Sequence, residues 1–174
     1  MATLQARLAR GDQAAFAELY DAYADRVGHY LLVRLSSRDD ADDVLQETFL
    51  RLARLRHKLA KVDNLVAYVF AVARNEAARL AASNARRQRK QEPLESADLF
   101  CCQSSDADAR EAAEIVATAM NHLSDDMREI VELKTYAGLT FQQIGRVTGL
   151  PQGTVATRYR SALAKMQTWF ARQP

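Results

Sequence analysis

Cysteine, proline, glycine and tryptophan are scarce in this 174-residue chain, and each scarcity removes a class of protein. The two cysteines, Cys101 and Cys102, are adjacent, so they make neither a disulfide framework nor a zinc site. They read as reduced thiols in a reducing compartment, with a redox role left open. The three histidines, His29, His57 and His122, have no partner at metal-ligand spacing, so no metal or other cofactor is expected. Six glycines and three prolines leave few interruptions, and β-branched runs are missing. The expected fold is therefore all-α. No apolar run approaches the roughly 18 residues that span a bilayer, and the N-terminus lacks a signal-peptide core. A cytoplasmic protein without membrane insertion is expected. There is no Ser/His/Asp, metal or phosphate-loop constellation, and an enzyme is not expected.

What is abundant is charge, unevenly placed. Residues 1–90 carry 16 Lys/Arg against 11 Asp/Glu, residues 91–125 carry 1 against 8, and residues 126–174 carry 7 against 3. Two basic blocks separated by an acidic connector suggest two polyanion-binding modules. After Glu132 no acidic residue remains, which marks the C-terminal segment as a nucleic-acid face. The implied organisation is two small helical domains, residues 1–90 and 109–174, joined by a flexible linker over 91–108. That linker holds Pro93, clustered Ser and Asp, and an apolar patch at Leu99–Cys102.

In the first domain a helix is expected from a cap at Asp12 to about Ser36, with a buried stripe of Phe16, Leu19/Tyr20, Tyr23, Val27 and Tyr30/Leu31. A second helix, about Asp39 to Arg56, buries Ala41, Val44, Leu45, Thr48, Phe49 and Leu52. Its opposite face carries Asp39, Asp43, Gln46, Glu47 and Arg54, with Leu50 in the middle. An acidic rim around an apolar centre suits protein docking, although a merely solvated face fits the pattern too. A basic loop (Arg56, His57, Lys58, Lys61) leads to a cap at Asp63 or Asn64. A third helix then runs from about Leu65 to Arg86. Its first half is apolar nearly all round, and its second half turns basic with Arg74, Asn75, Arg79 and Arg86. Those cations suit a phosphate backbone. Tyr68 and Phe70 could stack on bases or belong to the core.

In the second domain helical pattern resumes at about Ala109. Ser124 caps a helix with Asp125 and Asp126 in its first turn and Met127, Ile130, Val131 and Leu133 on its buried stripe; Gly138 ends it. Two short helices joined by a tight turn follow over Leu139–Arg160. Thr140 and Gln143 have capping-box spacing, Gly145 is small enough for close helix approach, and Gly149 supplies a left-handed turn position. Pro151 opens a helix in which Thr154, Thr157, Arg158 and Arg160 supply donors. A helix-turn-helix presented to a major groove fits this stretch, as does a plain helical hairpin.

The stretches DDADDVLQETFLRLARL (Asp39–Leu55) and AVARNEAARL (Ala71–Leu80) resemble region two of the extracytoplasmic-function (ECF) sigma factors of bacterial RNA polymerase. Leu123–Leu163 resembles their region four. The resemblance implies a promoter-specificity subunit that binds core RNA polymerase and promoter DNA, with an anti-sigma factor as a further partner. It implies that Asp39, Asp43, Gln46, Glu47 and Leu50 dock on the polymerase. It assigns Lys58, Lys61, Asn64, Tyr68, Arg74, Asn75, Arg79 and Arg86 to the −10 element. It assigns Thr140, Gln152, Thr154, Thr157, Arg158 and Arg160 to the −35 element. The chain departs from the family at Ala156 and Ser161, where a cation is usual, and at Gln142-Gln143, where an acidic pair is usual. A stand-alone DNA-binding regulator is the alternative, and a module whose basic surfaces bind an acidic partner is a third.

Overall fold

The computed structural model describes residues 3–88 and 107–172, and every regular element among them is an α-helix. Cys101, Cys102, the Leu99–Cys102 patch and most of the expected linker lie outside the described residues. A short helix that the sequence pattern does not announce, α1 (Leu4–Ala9), comes first. Its anchoring is tertiary: Leu8 is fully buried, and Gln5 Nε2 donates to the Val62 carbonyl at 2.7 Å. Helix α2 (Gln13–Leu35) starts where expected, with Asp12 accepting from the amides of Ala14 and Ala15. It ends at Ser36, which takes a left-handed conformation (φ 55°).

Ser37 then caps α3 (Arg38–Arg54) by accepting from the Asp40 amide, and Asp39 and Asp40 complement the helix dipole. On the buried side of α3 lie Ala41, Val44, Thr48 and Leu52. The Thr48 hydroxyl is satisfied by donating to the Val44 carbonyl at 2.7 Å. The basic segment expected as a loop contains one helical turn, α4 (Arg56–Leu59), because Leu59 is drawn fully into the core. Asn64 rather than Asp63 supplies the next cap, accepting from the Ala67 amide at 2.9 Å. It opens α5 (Leu65–Gln88), whose first half is the centre of the bundle, with Val69, Phe70 and Ala73 fully buried.

The C-terminal module comprises α6 (Ala107–Asn121), α7 (Asp125–Thr135), α8 (Phe141–Thr148) and α9 (Gln152–Phe170). Ser124 stands at the N-cap of α7, but its side chain makes no cap hydrogen bond. Helices α6, α7 and α9 share a small core of Ala119, Met120, Leu123, Val131, Ala162 and Met166. The larger core does not stop at the module boundary. Ile130, Leu133, Leu139, Ile144 and Val155 are contiguous with Leu19, Val27, Tyr30 and Phe70, as α8 packs on α5 and α7 on α2.

Three arginines of the N-terminal module strap this junction. Arg26 on α2 donates through Nε and Nη2 to the Ala137 carbonyl and lies over the Phe70 ring. Arg34, also on α2, reaches Asp125 at 3.1 Å and Glu132 at 3.3 Å. Arg74 on α5 grips both carboxylate oxygens of Glu129, at 2.6 and 3.0 Å. Glu132 is 1% exposed. Burial pushes its carboxyl up to about 7, although Arg34 and Arg128 pull it down. The hydrogen bond to Glu129 holds the Arg74 guanidinium above its ordinary value. Burial also raises Tyr30, whose hydroxyl finds no hydrogen-bond partner among the described residues.

Candidate nucleic-acid interface

The helix-turn-helix is built on two glycines. A Cβ on Gly145 would lie 2.6 Å from the Leu150 carbonyl, so only glycine lets the turn fold back this closely. Gly149 takes φ 76° with open space around it, so there the requirement is conformational rather than steric. Thr140 and Gln143 form the full reciprocal capping box, with bonds of 3.2 and 2.9 Å. Thr140, expected at the DNA, thus spends its side chain on the helix start while remaining exposed.

At about 100° per residue, Gly153, Thr157 and Arg160 project from one side of α9. All three are exposed, as is Gln152. The Thr157 hydroxyl donates to the Gly153 carbonyl at 2.9 Å and keeps its lone pairs free to accept. Thr154 and Arg158 occupy a different side of the helix and are half-buried. Arg158 Nη1 lies 2.9 Å from Asp126 at the start of α7. The sequence groups Arg158 with Arg160, but the fold separates a tethered cation from an open one.

The face of α5 shows the same division. Tyr68, Asn75, Arg79 and Arg86 fall within about 40° of one another around the helix axis. Asn75, Arg79 and Arg86 are exposed, and so are Lys58 and Lys61 just upstream. Tyr68 is half-buried and packs against the shared core. Asn64 serves as a helix cap. Arg74 points off this face into the junction with Glu129. Arg79 Nη1 lies 2.9 Å from Glu76, a buried carboxylate that Arg51 on α3 reaches at 2.8 Å from the other oxygen. The sequence reading missed Glu76, because an acid among arginines looks like part of a solvated face.

The expected docking face of α3 is open. Asp39, Asp43 and Gln46 are exposed, Glu47 pairs with Arg54 at 2.9 Å, and Leu50 is 44% exposed. Leu50 stands in a groove walled by Phe16, Tyr20, Leu45 and Phe49 and edged by Asp42. Tyr20 was expected in the buried stripe of α2 but is 47% exposed, its ring 4.8 Å from that of Phe49. Leu45 and Phe49, expected on the buried face, are half-buried groove walls. The apolar surface of α2 and α3 is wider than their own packing covers, so the surplus lines a groove. Among the described residues no group of three His, Cys, Asp or Glu side chains is placed to hold a metal ion. None of the described helices is long and apolar enough to cross a membrane.

Family models match both modules: "Sigma-70 region 2" over residues 19–87 and "Sigma-70, region 4" over residues 113–166. The chain is 28% identical to the ECF RNA polymerase sigma factor RpoE of Cereibacter sphaeroides, covering 90% of this chain and 86% of that one. It is 27% identical to the RNA polymerase sigma factor CarQ of Myxococcus xanthus, covering 92% of each. Its fold is similar to that of CnrH, solved in complex with the cytosolic domain of CnrY (TM-score 0.71, 23% identity, 98% and 97% covered). It is equally similar to the sigma factor RpoE of Bartonella quintana, solved with the anti-sigma factor NepR (TM-score 0.71, 21% identity, 91% and 98% covered).

Proposed function

The chain belongs to the ECF sigma factors of bacterial RNA polymerase, acting in transcription initiation, and from that premise we propose how its surfaces divide the work. The chain is a non-catalytic specificity subunit that works beside the polymerase in the cytoplasm. Residues 1–90 carry core binding and −10 recognition, residues 91–108 link, and residues 109–174 read the −35 element. The α3 groove around Leu50, edged by Gln46 and Asp42, docks on core polymerase together with Asp39, Asp43 and Glu47 further along α3. Tyr20 and Phe49 belong to that surface as much as Leu50 does. The open side of α9, Thr157 and Arg160, with the exposed Gln152 at the helix start, enters the major groove. There an arginine donates in bidentate fashion to a guanine edge, or any cation neutralises a phosphate. Lys58, Lys61, Asn75, Arg79 and Arg86 track the −10 strand, and Tyr68 offers a ring for an unpaired base. An anti-sigma factor competes for the polymerase-facing surfaces.

The observation that carries this reading is the presence, in one chain, of an exposed apolar groove edged by Asp42 and Gln46 and a capped helix-turn-helix with an open basic side. A regulator that binds DNA alone has use for the second only. Run-off transcription with core polymerase, with and without the chain, on the promoter upstream of its own coding sequence tests it. A chain-dependent transcript is expected. Tight duplex binding by the chain alone, without any core-dependent transcript, would establish the stand-alone regulator instead.

A further inference from the structure

Resting on the reading of Lys58 and Lys61 as contacts to the −10 strand, we propose that α1 braces the segment that carries them. Gln5 is then a positioning residue for the strand, acting through that segment rather than by contact. Three contacts make the brace. Gln5 Nε2 donates to the Val62 carbonyl at 2.7 Å, across 57 residues of sequence. Among the described residues, this is the hydrogen bond that ties the backbone between α4 and α5 to another helix. At the other end of the segment, Arg56 lies across the turn from α1 to α2. A Cβ on Gly11, which takes φ 81°, would meet the Arg56 Nε at 3.3 Å. Between these two points α1 packs along α4, and Leu59 is fully buried.

The segment has little of its own to hold it. Helix α4 is a single turn with no side-chain cap. After it the amides of Lys61 and Val62 donate only three residues back, to Lys58 and Leu59. Such a stretch samples many conformations unless tertiary contacts select one. Helix α1 is itself fastened, since Leu8 is fully buried and Arg7 reaches Asp12 at 2.8 Å and Glu18 at 3.0 Å. The brace therefore takes its rigidity from α2. It also uses up none of the cations: His57, Lys58 and Lys61 stay exposed, whereas Val62 is half-buried. Fixing Val62 fixes the approach to Asn64, two residues on, which caps α5 through the Ala67 amide. A lysine carried on backbone already in place meets a phosphate without first ordering the chain.

The test uses the full chain bound to core polymerase. Its probe is a fluorescein-labelled non-template strand from the promoter upstream of the coding sequence. Gln5→Met keeps the length of the side chain and removes the donor. It should lower affinity for the strand about three- to tenfold, the range of one net hydrogen bond, with competition for core unchanged. Lys58→Ala with Lys61→Ala should weaken binding on its own and flatten its salt dependence. In that background Gln5→Met should have no further effect, an outcome that a general loss of stability would not give. Gln5→Asn, whose amide is one methylene short of the Val62 carbonyl, decides the question if circular dichroism shows that the methionine variant does not fold. Wild-type affinity in a folded Gln5 variant overturns the proposal, and so does an equal loss with and without the two lysines. A lysine variant that binds like the wild type removes the loop from the strand, and this proposal with it. That failure of the underlying reading shows before Gln5 is altered, whereas failure of the brace alone leaves the lysine effect intact.

Discussion

The two faces proposed to meet nucleic acid, on α9 and on α5, are made of similar residues, and they differ in what already occupies their cations. On α9 the competing carboxylate is local: Asp126 holds Arg158 from within the same module, and Arg160 is left open. On α5 it is both local and remote, Glu76 holding Arg79 and Glu129 reaching Arg74 across the junction. A local tether moves with its module and cannot report on domain arrangement. A remote one exists only while the modules touch. Counting arginines along a helix therefore overstates the first face and misreads the second, because geometry decides which cations remain for phosphate.

The largest way to break the comparison is to take both faces away from their shared platform. Leu50→Asp, placed in the α3 groove, should weaken association with core polymerase by about 2 kcal/mol or more, roughly thirtyfold, as measured by competition for core. Unchanged association would remove the groove from the interface. Gly145→Ala should damage one face alone. Its Cβ meets the Leu150 carbonyl at 2.6 Å, and overpacking of that kind costs about 1–3 kcal/mol. Thermal melting should fall and duplex binding should be lost, while single-strand binding is retained. A variant as stable as the wild type would mean that the turn relaxes freely.

Finer contrasts lie within each face. Arg160→Ala should lower affinity for the upstream promoter duplex by about 1–3 kcal/mol if it reads a base. Arg158→Ala should cost less, since that side chain is already committed to Asp126 and a partly exposed pair is worth about 1 kcal/mol at most. The reverse order in an anisotropy titration would assign the base contact to Arg158. The smallest effect concerns protons at the joint. In the folded chain burial raises Glu132 to about 7, among Arg34 on α2, Arg74 on α5, Arg128, Glu129 and Asp125 on α7, and the Tyr30 hydroxyl. In the unfolded chain its carboxyl returns towards the ordinary 4.5. The folded chain keeps its proton where the unfolded one has lost it, so stability rises as pH falls from about 7 towards 4.5 and is lost as pH rises through about 7. Glu132→Gln should lose this dependence; thermal melting that still follows pH over this range would place the titration elsewhere.

Much of the fold is legible in the sequence because its signals are local. Asp12, the Thr140–Gln143 box and Gly149 each announce a helix boundary within four residues, and each lies where the chain pattern puts it. Helix α1 has a Thr3 cap, which accepts from the Ala6 amide, but it is only six residues long and is held by the partners that Leu8 and Gln5 find elsewhere. Glu129 and Glu132 sit between apolar positions on α7, where the periodic pattern gives them to solvent. Their partners Arg74 and Arg34 are 55 and 98 residues away, and no local rule pairs them. The site residues divide the same way. The open position of Leu50 follows from its place among acids, whereas the exposure of Tyr20 depends on how much of the α2–α3 surface other helices cover.

Glu76 ties α3 to α5. Its buried carboxylate is held by Arg51 of α3 on one oxygen and by Arg79 of α5 on the other. Rotating α3 about its own axis would withdraw Arg51 and leave half of that charge uncompensated in the interior, a change that resists slippage. The two helices therefore behave as one stiff lever. On the proposed division of surfaces, displacement imposed on α3 by core polymerase is passed to the cations of α5 through this shared carboxylate.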